Sequence, residues 1–391
     1  LIVSDTHFLR RLADVLVGYS TQVKPGDLVA IAAEPEAMPF VEAVTESVLK
    51  AGGHPFWLPR SESLTELLLE HGNEEQLRYC SPITQEIVER INVQIGAWCQ
   101  INTKYLSQVD PKRVALHQQS RRPWFKRFME RAATNDLRWV GTAYPTNASA
   151  QDADMSLRQY AKFVYEAGYL HTPDPVAVWK SFNEAQNKVC AFLQGKKEVC
   201  FRVPAGEGPT GRHDGTDLRV NVDGSTWINC SGLNNFPDGE VFAGPKGVDG
   251  HVNYTFPAVY NGREVDGVRL VFKGGRVVEA SAKKGEDFLI QMLDQDAGAR
   301  VLGEIAIGTN YAIKRHSKNI LFDEKIGGTF HAAVGAGYPE SGSSNESGLH
   351  WDMICEMRPN AEKGWAGGTI EADGQLFHRD GKFLTAGWPG N

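Results

Sequence analysis

An α/β N-terminal domain joined to an α+β, β-rich C-terminal domain is the fold class this sequence predicts. Its 391 residues exceed what a single hydrophobic core usually organises, which sets the expectation at two domains. Glycine is divided unevenly, nine of the forty lying in residues 1–200 and thirty-one in 201–391. The first half alternates helix-period segments with short continuous apolar runs, whereas the second strings strand-length runs between DG, NG and GG turns. The boundary is expected near residues 190–200, giving domains 1–195 and 196–391.

FLRRLADVLVGYSTQV is the first expected helix, its apolar residues recurring at helical spacing before the turn signal KPGD. LVAIAAE then reads as a parallel strand covered on both faces. AMPFVEAVTESVLKAGG is a helix closed by Gly52 and Gly53, and HPFWLPR the next strand, which completes a βαβ unit. QIGAWCQI and LRWVGTAYP are strand-like and RPWFKRFMERAAT is helical. SLRQYAKFVYEAGY and DPVAVWKSFNEAQNKVCAFLQG form a helical run up to Gly195. AAEPEAMPF, after the first strand, holds no glycine, so the phosphate-binding turn of a dinucleotide site is missing.

In the second half, DLRVNVDG, STWINCSG, HVNYTFPAVYNGREVDGVRLVFKGGRVVEASA and GGTIEADGQLFHRDGKFL supply strands split by tight turns. One helix is expected among them, GEDFLIQMLDQDAGARVLGE, ending near Gly303 and Glu304.

Charge and composition exclude several partners. The 41 basic residues are dispersed among 48 acidic ones, for a net charge of −7, which argues against a nucleic-acid backbone. The basic run HQQSRRPWFKRFMERA repeats Trp124, Phe125 and Phe128 at near-helical spacing and reads as the solvated face of an amphipathic helix. No window approaches the roughly 18 apolar residues that span a membrane, and no stretch reads as a signal peptide. The six cysteines form no CxxC pair and no disulfide framework, as expected of reduced thiols in a cytoplasmic protein.

The chemistry concentrates in FHAAVGAGYPESGSSNESGLHWDMICEM, which places His331, Tyr338, His350 and Asp352 within 22 residues. Imidazole nitrogen and carboxylate oxygen are the donors that hold catalytic zinc, cobalt or manganese. On a strand, His350 and Asp352 would share a face while Trp351 turns into packing. The glycines around His331 and Tyr338 let backbone crowd a small centre, so a metal-binding loop is expected. Glu240, in LNNFPDGEVFAGP, reads as a loop acid in need of a partner. Glu304 reads as an acid at the unfavourable end of a helix dipole, which a bound cation would compensate. Glu324 in ILFDEKIGG is a third candidate, although Asp323 and Lys325 beside it fit a surface charge cluster equally well.

NNFPDGEVFAGP, ARVLGEIAIGTN, ILFDEKIGGTFHAAVGAGYPE and NESGLHWDMI, in that order and at those separations, resemble the M29 family of thermophilic-type metallo-aminopeptidases. GTDLRVNVDGSTWIN, AQDADMSLRQYAKFVYEAGY and, more loosely, YSTQVKPGDLVAI extend the likeness over nearly the whole chain. The resemblance implies a pair of divalent metal ions, zinc, cobalt or manganese, in a C-terminal catalytic domain. Carried over, the family's ligands fall on Glu240, Glu304, His331, Tyr338, His350 and Asp352. It implies a metal-activated water that attacks the first peptide bond, with Glu304 as first choice and Glu240 as second for the bridging or proton-carrying acid. Tyr338 would ligate as phenolate or donate a hydrogen bond to the oxyanion. It further implies a homodimer that encloses its active sites and favours short peptides; the N-terminal domain, which carries no catalytic constellation of its own, is expected to build cavity and dimer contact. The rival reading uses fewer residues: His331, His350 and Asp352 alone match the facial triad of a mononuclear non-haem iron ring-cleaving dioxygenase on a similar fold. Glu240, Glu304 and Tyr338, which such a site does not need, favour the hydrolase.

Overall fold

The run Leu28–Ala33 is buried along nearly its whole length because it lies inside a parallel sheet and not at its rim. The strand order is His54–Pro59, Leu28–Ala33, Val93–Trp98, Arg138–Ala143 and Asn235–Phe236, every neighbouring pair parallel. Helix Met38–Lys50 makes the first crossover, burying Phe40, Val41, Val44 and Val48, and is terminated at Gly52, whose φ of +81° suits glycine. The computed structural model describes residues 6–207, 211–260, 262–360 and 365–390. Among these no helix is long and apolar enough to cross a membrane, and all six cysteines are free.

By contacts the chain divides into Leu1–Ala177 with Gly232–Pro237, and Val178–Ser231 with Asp238–Asn391. Residues 178–195, grouped by sequence with the first half, pack with the second unit, where Val189 and Leu193 join the core.

Two large antiparallel sheets build most of the second unit, beside two short hairpins, among the described residues. One runs Arg276–Ser281, Arg269–Lys273, Gly247–Asn253, Thr216–Asn221, Glu198–Val203, Thr369–Ala372, Gln375–Arg379, Lys382–Phe383. The other runs His350–Glu356, Thr329–Gly335, Leu302–Gly308, Glu240–Ala243, Ile228–Cys230. A single core joins them: Phe201, Leu218 and Leu270 from the first meet Ile305, Phe330 and Met353 from the second, with the Phe201 and Phe330 rings 4.4 Å apart.

The helix expected to reach Glu304 covers only Glu286–Leu293. Asp296 and Gly298 break it, the carboxylate of Asp296 accepting from the Gly298 N–H at 2.9 Å in a turn that no longer continues the helical ladder. Glu304 therefore stands on a strand, Leu302–Gly308, and owes nothing to a helix dipole.

Candidate metal centre

The five-stranded sheet sorts its side chains by the two-residue period of a strand. Val241, Ala243, Ile305, Ile307, Phe330, Ala332, Val334, Trp351, Met353 and Cys355 face the core. The other face receives Glu240, Glu304, His331, His350 and Asp352, and the register explains the convergence. His331 pairs with Ala306, Glu304 and Asp352 both sit opposite Ala333, His350 sits opposite Gly335, and Glu240 opposite Gly308. The residues between the donors are thus alanine or glycine, which leaves room above the sheet.

A bulge at Gly303 aims Glu304. Leu302 pairs with Val334 and Glu304 with Ala333, so residues two apart point to opposite faces, Leu302 into the core and Glu304 toward His331. A Cβ on Gly303 would lie 2.5 Å from the Ala336 carbonyl oxygen, so only glycine fits the extra position.

Both histidines are held from behind. His331 Nδ1–H donates to the Glu324 carbonyl at 2.9 Å and His350 Nδ1–H to the Ala336 carbonyl at 2.7 Å. A carbonyl only accepts, so each Nδ1 carries a proton and each Nε2 is turned to the carboxylates. His331 Nε2 lies 3.1 Å from Glu304 Oε1, 3.4 Å from Glu240 Oε2 and 3.9 Å from Asp352 Oδ1. His350 Nε2 lies 3.5 Å from the same oxygen of Asp352. One donor atom each from Glu240, Glu304 and His331 falls within a 4.8 Å cluster. Glu240 Oε2 and Asp352 Oδ1 are buried with no hydrogen-bond partner among the described residues. Orphaned carboxylate oxygens beside outward-turned imidazole nitrogens are what a mixed nitrogen and oxygen cation site requires.

The electrostatics agree. Burial would lower the pKa of His331, but the Glu304 hydrogen bond and the charges of Glu240 and Asp352 hold it up to about 9. Burial acts likewise on His350 and is outweighed by Asp352, leaving it at about 10. Burial pushes the Glu240 carboxyl well above its usual range, with Lys325 opposing, whereas Asp352 is drawn below its range by His350 and His331 against the effect of burial. A proton on Nε2 here stands where a metal cation would, for the same electrostatic reason.

Tyr338 lies off the strands, its ring edge-on to His350 at 5.4 Å and against Phe242 at 5.6 Å. It is 42 % exposed, so a substrate can reach it. Burial and then the Glu304 and Asp352 charges push its phenol pKa up, which keeps the proton on and suits a hydrogen-bond donor.

The segment expected to be one metal-binding loop is chiefly two strands, Thr329–Gly335 and His350–Glu356, and Glu240 begins a strand as well. The surface charge cluster suggested for Asp323, Glu324 and Lys325 is instead an interior one. Asp323 is 2 % exposed and Lys325 wholly buried. The Lys325 ammonium pairs with Glu324 and stands 3.8 Å from Glu240 and 4.0 Å from Asp238. Sequence reasoning missed Asp238 and the interior role of Lys325. The available signal was the apolar pair Leu321 and Phe322 directly before DEK, both buried, which anchors that turn in the core. Asp238, Glu240, Glu304, Glu324 and Asp352 make five carboxyl groups against one ammonium, an excess of four negative charges when all five are ionised, as a bound cation would favour, and both imidazoles are neutral.

The likeness to known proteins extends over nearly the whole chain. Aminopeptidase 2 of Geobacillus stearothermophilus is 29 % identical over 387 residues, 88 % of this chain and 91 % of the relative. Aminopeptidase T of Thermus thermophilus is 26 % identical, with 95 % of each covered. The solved structure of wild-type AmpT from Thermus thermophilus has the same fold, with a TM-score of 0.81 at 24 % identity over 97 % of this chain and 99 % of that one. The family model described as thermophilic metalloprotease (M29) matches residues 5–383, and the chain that carries this histidine and carboxylate cluster belongs to that family.

Proposed function

We propose that the chain is a metal-dependent aminopeptidase that releases N-terminal residues from short peptides, using two divalent cations held by Glu240, Glu304, His331, His350 and Asp352, with Tyr338 at their edge. The observation that carries the reading is the pair of imidazoles, each pinned at Nδ1 by a main-chain carbonyl and each directing Nε2 at buried carboxylates. Four excess negative charges match two divalent ions, and the donor set suits zinc, cobalt or manganese.

Cations bound there would acidify a water and polarise the scissile carbonyl. Glu304, whose Oε1 lies 3.1 Å from His331 Nε2 within the cluster, would carry the proton from such a water to the departing amine. Tyr338 donates toward the carbonyl oxygen as negative charge develops on it. The free α-amino group of the peptide would be recognised by a carboxylate or by a metal ion, which limits attack to the first peptide bond. Glu240 and Glu304 both approach His331, which a three-ligand iron site would leave unexplained. The same reading carries a cytoplasmic homodimer, and sedimentation at several concentrations tests the dimer.

The deciding assay is hydrolysis of leucine p-nitroanilide and dipeptides before chelation, after it, and with zinc, cobalt, manganese or iron(II) restored. Activity lost with the chelator and regained with zinc, cobalt or manganese is expected. No hydrolysis with any of these, together with one bound iron per chain, would transfer the reading to the dioxygenase.

A further inference from the structure

Glu240 belongs to two ligand clusters at once. Its Oε2 faces His331 and Glu304, while the same side chain forms, with Cys230 and Asp238, a second group whose donor atoms lie within 4.8 Å of one another. The register produces this second group, because Cys230 pairs directly opposite Glu240 across the Ile228–Cys230 edge of the sheet. Asp238 is brought alongside by a turn that Asn310 fastens, its side-chain amide donating to the Asp238 carbonyl at 2.8 Å. A thiol and two carboxylates at that spacing form a donor set that binds zinc or cobalt readily.

Lys325 stands in this second group. Its ammonium is 3.8 Å from Glu240 Oε1 and 4.0 Å from Asp238 Oδ1, it pairs with Glu324, and no part of the side chain reaches solvent. The two oxygens of Glu240 are thereby divided, Oε1 toward the ammonium and Oε2 toward His331.

The geometry points to Lys325 as a positioning residue that works as a tethered cation: it fills the place between Asp238 and Glu240 where a further metal ion would sit, keeps Cys230 out of the coordination, and leaves Glu240 one oxygen for the His331 side. This rests on the metal centre proposed above and not on peptide hydrolysis. A fixed, monovalent charge there balances two carboxylates permanently, whereas an exchangeable divalent ion would draw Glu240 and the thiol toward itself and away from His331.

The test counts metal and looks for sulfur. Metal-free wild type and Lys325→Met are loaded with cobalt(II), the bound ions per chain are measured after gel filtration, and the near-ultraviolet spectrum is examined for thiolate-to-cobalt charge transfer. Wild type is expected to show no such band even with cobalt in excess. Lys325→Met is expected to hold one further ion per chain and to gain the band, and the double variant Lys325→Met with Cys230→Ser to lose it. A folded Lys325→Met with the wild-type count and no band overturns the inference while leaving the metal centre standing. A thiolate band in wild type overturns it as well, and this arm holds even where Lys325→Met does not fold. Wild type that binds no cobalt removes the metal centre itself, and the inference with it.

Discussion

Replacing Ala333 by valine should weaken metal binding more than it destabilises the metal-free fold, and replacing its neighbour Ala332 in the same way should do the reverse. Both residues are fully buried on one strand, and the sheet register alone separates them. Ala333 lies opposite Glu304 on one side and Asp352 on the other, so its Cβ is roughly 5 Å from theirs. Two added methyl groups there enter the space above the sheet among the donors. Ala332 points to the core shared with Phe330 and Met353, and the Tyr254 hydroxyl donates to its carbonyl at 3.3 Å. Overfilling a packed position costs about 1–3 kcal/mol. At Ala333 that cost falls on the metal-bound state and corresponds to roughly 5- to 150-fold weaker binding. At Ala332 it falls on folding and lowers the melting temperature by roughly 2–4 °C per kcal/mol for a unit of this size. Competition with a chromogenic chelator gives the affinity, and thermal scans of metal-free protein give the stability. The reasoning would be refuted if Ala332→Val weakened metal binding while Ala333→Val left it unchanged, because a one-residue slip exchanges the faces.

Glu304→Gln should lose hydrolysis by at least about 100-fold and release bound metal while the circular dichroism spectrum stays that of the wild type; activity within about tenfold would remove Glu304 from its proposed role. Tyr338→Phe should lower kcat by roughly 10- to 100-fold with KM and metal content little changed, and loss of a metal ion instead would make the phenol a ligand. Acid sensitivity should trace in part to His378, whose two ring nitrogens lack hydrogen-bond partners among the described residues and whose pKa burial lowers to about 3. The unfolded chain takes up this proton below an ordinary value of about 6.5 and the folded chain does not, so the full contribution is present above that pH and is lost as pH falls toward 3. By about pH 5 the loss is about 2 kcal/mol, and urea unfolding of His378→Leu at pH 7.5 and pH 5 should show a pH dependence smaller by that amount.

Local pattern made much of this architecture legible. The continuous apolar run at 28–34 and the glycine pair after Lys50 gave a buried strand and a helix end close to those observed, Leu28–Ala33 and Met38–Lys50. The HWD triplet fixed a strand face, with Trp351 turned into the core as the period requires. The failures are of another kind. The apolar residues of 285–304 keep a helical spacing, yet the Asp296 turn ends the helix and Gly303 opens a bulge, and both depend on contacts with residues distant in sequence, Gly348 and Ala336. Residues 232–237 return to the parallel sheet, where Asn235 and Phe236 pair with Gly141 and Thr142, and nothing in their composition signals so distant a strand partner. Lys325 looked like surface because lysine usually is; apart from its neighbour Glu324, the carboxylates that surround it, Asp238 and Glu240, arrive from elsewhere in the chain.

Because Glu240, Glu304, His331, His350 and Asp352 all stand on strands, the distances among them are set by the repeat of backbone hydrogen bonding, roughly 4.8 Å from one strand to the next. That repeat acts as a ruler cut into the main chain. The main chain under each donor is fixed by the ladder and both imidazoles are pinned at Nδ1 by main-chain carbonyls, so the donors keep their separations until the sheet itself gives way. Release of metal and collapse of the fold should therefore arrive together on a temperature ramp, and an enzyme built this way stays competent almost up to the point at which it ceases to be a protein with a shape.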